Sequence, residues 1–184
     1  QPVSALAFDS SVETLPSCFG GNDGSLMVTF SGGNGPYTYL WSDGQTGSTA
    51  TNLTSGSYSV TATDANGCTL TQNLTLNDPI RIDVTPVLNI PSCNAGADGL
   101  ITVSAINGTG PYTYNWNTGD SGATINGLVA GNYSVTVTDA LGCSVIENYV
   151  LGEPAVLDAN ATVNNISCSG LTDGSIFLTP SGGT

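Results

Sequence analysis

Apolar and polar residues alternate in short bursts along the whole chain. Leu26, Val28 and Phe30 occupy alternate positions of one stretch, and Ile101, Val103 and Ala105 do the same. Tyr58-Ser-Val60-Thr-Ala62-Thr sets apolar groups on one side and hydroxyls on the other, and Tyr133-Ser-Val135-Thr-Val137-Thr follows with larger side chains. Ile176 and Leu178 alternate likewise. A period of two marks strands with one face buried, because successive side chains of a strand point to opposite sides. Asp-Gly, Gly-Gly, Asn-Gly and Ser-Gly turns separate the bursts, and no helical period survives more than a few residues. Short strands with frequent turns predict an all-β chain of the sandwich type.

The alternation is itself repeated. Cys18, Cys93 and Cys168 lie 75 residues apart, as do Cys68 and Cys143, Trp41 and Trp116, and Tyr58 and Tyr133. Aligning 18–92 with 93–167 gives 32 identities in 75 positions without a gap. A unit of this length is a small domain with its own core, not one rung of a solenoid. The expected domains are 1–78, 79–153 and the beginning of a third at 154–184. They meet at Asn77-Asp-Pro79 and Gly152-Glu-Pro154, with Gln1-Pro2 as the same kind of joint. Proline restricts the swing of such short joints, so the domains are expected to stack into a stiff rod.

Two details refine the unit. Tyr37, Tyr39 and Trp41 occupy alternate positions of one strand, repeated by Tyr112, Tyr114 and Trp116. Such a ladder could stack sugars, but an alternating aromatic face belongs more naturally to a sandwich core. Leu53-x-x-Gly56-x-Tyr58, repeated from Leu128 to Tyr133, resembles the tyrosine corner of immunoglobulin-like sandwiches, in which the phenol bonds back to the preceding loop. Tyr58 and Tyr133 are therefore expected to be structural.

Cysteine spacing suggests staples. Each complete repeat holds one pair 50 residues apart (68 − 18 and 143 − 93). No CxxC spacing accompanies them, and without histidine a zinc site would need four thiolates from distant places. The expectation is one disulfide per domain, Cys18 with Cys68 and Cys93 with Cys143, while Cys168 pairs beyond position 184. Each bond is expected to clamp one pole of its sandwich, and closing 50 residues is worth roughly 4 kcal/mol in the chain-entropy model. Structural disulfides also imply an oxidising compartment outside the cytosol.

Charge narrows the functional classes. The chain has no histidine or lysine, a single arginine (Arg81) and 14 acidic residues, for a net charge of −13. Nucleic acid and anionic membrane surfaces are poor partners for such a surface. No apolar run is long enough to span a bilayer. The commonest general bases and amine nucleophiles are missing, so no catalytic residue and no cofactor is assigned. The repeated aspartates, Asp23, Asp98 and Asp173, precede glycine in turns. Calcium is the more serious metal candidate, with Asp64, Asn66 and Asp139 as candidate ligands. The second loop reads Asp139-Ala-Leu141-Gly142, which lacks the counterpart of Asn66 and favours plain turns.

Taken together, Cys18 with Asp23-Gly24, Pro36-Tyr37-Thr38-Tyr39-x-Trp41, Leu53-x-x-Gly56-x-Tyr58-Ser-Val60 and Thr63-Asp64-x-x-Gly67-Cys68 resemble the SprB repeat of gliding-bacterial surface adhesins in the Bacteroidota. They recur from Cys93 to Cys143 and, in part, from Cys168 to Asp173-Gly174. The resemblance implies long secreted proteins of many such modules, exposed on the bacterial cell surface and used in adhesion or gliding motility. It implies extracellular surfaces, polysaccharide or other surface proteins as partners, and it supplies no catalytic residues. The alternative expectation is a passive stalk for a secreted enzyme or a sugar-binding head.

Overall fold

A computed structural model describes residues 4–183, so the expected joint at Gln1-Pro2 lies outside the described residues. The chain divides into two compact units, Gln1–Arg81 with Leu141–Cys143, and Ile82–Ala140 with Ser144–Thr184. The described residues form antiparallel strands and contain no helix.

In the first unit six strands follow one another: β1 (Ala7–Thr14), β2 (Gly24–Ser31), β3 (Thr38–Trp41), β4 (Thr49–Leu53), β5 (Gly56–Thr63) and β6 (Thr69–Leu76). They make two sheets of order β1-β2-β4 and β3-β5-β6. The chain therefore crosses between sheets after β2, again after β3 and again after β4, as in immunoglobulin-like sandwiches. The second unit repeats this with β7 (Asp83–Asn89), β8 (Gly99–Ile106), β9 (Thr113–Trp116), β10 (Thr124–Leu128), β11 (Gly131–Thr138) and β12 (Ser144–Leu151). Its sheets are β7-β8-β10 and β9-β11-β12. It also contains β13 (Asp158–Asn164), paired with β14 (Ser175–Ser181).

The alternation decides which face turns inward. Leu26, Val28 and Phe30 of β2 are buried, while Met27 and Thr29 between them are exposed. Val60 and Ala62 of β5 face them across the sandwich, with Ala50, Leu53 and Leu76 closing the same cluster. Trp41 is the largest side chain of this core and is 2% exposed. Its indole N–H donates to the Gly47 carbonyl at 2.9 Å, so burying the ring leaves no polar atom stranded. Trp116 does the same with Gly122 at 3.0 Å. Tyr37 and Tyr39 pack partly buried against the cluster, and Phe30 meets Phe8 edge to face at 5.5 Å. The aromatic ladder is thus inter-sheet packing and not an exposed stacking platform.

Of the third repeat the structure describes the β13–β14 pair. Ile176 and Leu178 of β14 are 68% and 63% exposed, because among the described residues no second sheet covers the pair.

Tight corners complete the unit. The Gly35–Pro36 and Gly110–Pro111 bonds are cis. At the turn after each first cysteine of a repeat the chain takes a positive φ, at Gly20 (+72°), Ala95 (+57°) and Gly170 (+90°). An L side chain is disfavoured there, because its Cβ crowds the following carbonyl. Space is not the issue, since a Cβ at Gly20 would meet nothing within 4 Å. Ala95→Gly should therefore stabilise the second repeat by about 0.5–1 kcal/mol, and Gly20→Ala should destabilise the first by a similar amount. Urea unfolding of both variants checks this, and equal midpoints for all three proteins would show that neither corner is strained.

Candidate functional site

The strands run from pole to pole of each sandwich, so every loop lies at one of two ends. In the β5–β6 ladder Gly56 pairs with Leu76 at one end and Thr63 with Thr69 at the other. Seven residue steps separate them, roughly 23 Å at ~3.3 Å each. The cysteines are distributed between these poles.

Cys18 belongs to the pole of Gly56 and Leu76. Ser17 donates its backbone N–H to Asp23 Oδ1 at 2.9 Å, and Gly21 N–H bonds the Cys18 carbonyl at 2.9 Å. Gly20 N–H donates to Asp78 Oδ1 at 3.0 Å, just past the end of β6, while Ser55 Oγ donates to Asp78 Oδ2 at 2.6 Å. The second repeat builds the same cap: Ser92 N–H bonds Asp98 Oδ1 at 2.9 Å and Ala95 N–H bonds Glu153 Oε2 at 2.7 Å. In the third, Ser167 donates both its N–H and its hydroxyl to Asp173, at 3.1 and 2.5 Å. Bonds from the serine hydroxyl, then from its amide, hold Asp23, Asp98 and Asp173 below the usual carboxylate range. Sequence reasoning passes over Ser17, Ser92 and Ser167, although a serine directly precedes the cysteine in all three copies.

The opposite pole carries the β5–β6 hairpin from Asp64 to Cys68. The Asp64 side chain is buried and fully employed. Oδ1 accepts the N–H groups of Asn66 and Cys68, both at 2.9 Å, and Oδ2 accepts that of Asn34 at 3.0 Å. These donors, Asn34 first and Cys68 next, hold its pKa below the ordinary value. The carboxylate lies against Gly33, where a Cβ would stand 2.7 Å from Oδ2. Asn66 offers its side-chain oxygen to Asn34 Nδ2 at 3.4 Å. In the second copy Thr109 N–H donates to Asp139 Oδ2 at 3.0 Å, over Gly108. Both aspartates thus tie a hairpin to the turn leading into the short strand. No group of three or more histidine, cysteine, aspartate or glutamate residues that could hold a metal occurs among the described residues.

The phenol of Tyr58 donates to the Thr54 carbonyl at 2.9 Å, and that of Tyr133 to the Val129 carbonyl at 2.8 Å. Each bond closes the loop between the two sheets.

The cysteine pairing expected from spacing is corrected. Cys18 is bonded to Cys143, 125 residues away, and residues 141–143 belong to the same compact unit as Cys18. Cys68, Cys93 and Cys168 are free and exposed. The physical reason is distance within one repeat. Cys18 and Cys68 stand at opposite poles of the same sandwich, whereas a disulfide needs α-carbons within about 7 Å. Hence the bond does not clamp one pole of its own domain, and one disulfide per domain does not hold. The closed loop grows from 50 to 125 residues, worth about 5 kcal/mol in the same chain-entropy model.

The family model described as SprB repeat matches residues 14–46, 89–121 and 160–184. No curated protein matches the chain. Among solved structures the chain is similar to one described as "Structural basis for Dscam isoform specificity", at 13% identity and a TM-score of 0.33, covering 82% of this chain and 46% of that one. It is also similar to the amphioxus IgVJ-C2 molecule, at 14% identity and 0.32, covering 79% and 97%. A third is the C-terminal 282-residue fragment of intimin in complex with the translocated intimin receptor's intimin-binding domain, at 12% and 0.33, covering 84% and 67%. The chain spans less than half of the Dscam chain it matches.

The Asp64 geometry sets an acid dependence. A carboxyl whose folded pKa lies below its unfolded value contributes stability above the unfolded value, lost as pH falls through the folded one. Stability should therefore be level near neutrality and decline below about pH 4. Asp64→Asn should be less stable at neutral pH and lose less on acidification than the parent. Urea midpoints measured from pH 7 to about 2 read both effects; parallel curves would remove Asp64 from the account.

Proposed function

We propose that this chain, which belongs to the SprB-repeat family, is a load-bearing stretch of repeats in a large secreted adhesin of the bacterial cell surface. It serves surface adhesion or gliding motility and performs no chemistry of its own. The observation that carries this reading is where the repeated residues go. Side chains recurring every 75 residues occupy the core (Trp41, Val60), the pole turns (Asp23, Asp64) and the cysteine positions. Such repetition preserves a scaffold, and a scaffold in tandem suits extension under load.

The partners fit the same reading. Extracellular polysaccharide or surface proteins can be held by many weak contacts along repeated units, with avidity replacing any single strong site. No helix among the described residues is long and apolar enough to cross a membrane. An extracellular site also agrees with the disulfide.

Load is where the disulfide acts. When the protein is pulled from its ends, the bond withholds the 125 residues between Cys18 and Cys143, about 425 Å of contour at ~3.4 Å per residue. Single-molecule unfolding with and without reductant should differ by that length, and equal lengths would discard the load-limiting role. Mass and peptide mapping of the mature polypeptide from the cell surface tests the adhesin reading itself. Many further repeats without an enzymatic domain support it, whereas a short protein ending in a catalytic or sugar-binding domain would make these repeats a stalk.

A further inference from the structure

We infer that the cysteines of this array pair by the pole they occupy and not by the repeat they belong to. Cys18, Cys93 and Cys168 form one class, each in a Ser-Cys turn whose serine N–H is held by the aspartate five residues after the cysteine. Cys68 and Cys143 form the other, each closing the hairpin that begins with Asp64 or Asp139. The one bond formed, Cys18–Cys143, joins a member of each class at a separation of 125. Within a repeat the two classes lie roughly 23 Å apart, which excludes a bond at a separation of 50. The rule bars Cys93 from Cys143 of its own repeat and gives it a hairpin-class partner at a separation of 125.

A second observation marks the receiving site. Cys93 lines a cleft of about 430 Å³ whose far wall is Gly182 and Gly183 of the third repeat. Gly183 is the counterpart of Gly33 and Gly108, the glycines on which the Asp64 and Asp139 hairpins rest. Its φ of +73° and its N–H bond to the Ala155 carbonyl at 3.0 Å reproduce the corner of Gly33, with φ +59° and a bond to the Ser4 carbonyl. One cleft thus brings together a thiol of the turn class and the glycine seat of a hairpin. The cleft fits an Asp-Ala-x-Gly-Cys hairpin like those at Asp64 and Asp139, with its aspartate over Gly183 and its thiol at Cys93.

Bond formation converts two thiols to one disulfide. The electron pair and two protons pass to a small disulfide such as oxidised glutathione, which leaves as two thiols. Each bond closes a loop that includes one joint, Asp78-Pro79 for Cys18–Cys143 and Glu153-Pro154 for Cys93. A long array would carry a covalent tie across every joint, in addition to its backbone.

The test is non-reducing peptide mapping after refolding in a glutathione redox buffer. The 184-residue chain should yield Cys18–Cys143 alone, with Cys68, Cys93 and Cys168 open to alkylation. In Cys143→Ser, Cys18 should become alkylated; its transfer to Cys68 would overturn the pole argument. Appending a second copy of the sequence from Gly110 to Gly152 after Thr184 completes the third repeat. Its hairpin cysteine should bond Cys93, and a bond to Cys168 instead would overturn the class rule. Should the extended chain fail to fold, the Cys143→Ser map still decides between pairing by pole and pairing by repeat.

Discussion

Two three-stranded sheets pressed together around one tryptophan set the terms for everything else in the repeat. Trp41 is the largest of the nine buried side chains that make the core of the first sandwich, with Leu26, Val28, Val60 and Leu76 among them. So small a core requires strands with one strictly apolar face, which is why the period of two is so regular. Strands packed this way run pole to pole, and each connection must then lie at one end or the other. Placement at a pole, not nearness in sequence, governs which loops can meet.

The poles also show how a chain with 14 acidic residues and a single arginine settles its key carboxylates. Its key carboxylates are neutralised by dipoles instead of cations. Asp64 takes three backbone N–H groups, Asp23 takes the amide of Ser17, and Asp78 takes the amide of Gly20 and the hydroxyl of Ser55. Each bond is charge-assisted and fixes a turn. Turn geometry and electrostatics are thus one device, used at both ends of every complete repeat. The same device makes the Asp-x-x-Gly-Cys hairpin rigid enough to present a thiol at a defined place.

Much of this was legible in the residues. Alternation located the strands from β2 and β5 through their copies, and the Asp-Gly and Gly-Gly pairs located the turns. The tryptophan, repeated at an alternate position, belonged to the core on pattern alone. Two matters were not legible. The bonds from Ser17 and its counterparts to aspartate depend on how a loop closes. The partner of Cys18 depends on which pole each cysteine reaches, and spacing of 50 residues holds no information about that.

The amino-acid sequence by itself determined the all-β class, the 75-residue period, the inward face of each strand and the residues that turn the chain. All of these follow from local geometry: the two-residue pleat, the freedom of glycine and the short reach of aspartate. Only the tertiary structure decided the disulfide, because a covalent bond between side chains needs their α-carbons within about 7 Å. In this fold that distance is reached by residues 125 apart and denied to residues 50 apart, since the strands of a single sandwich carry Cys18 and Cys68 to opposite ends.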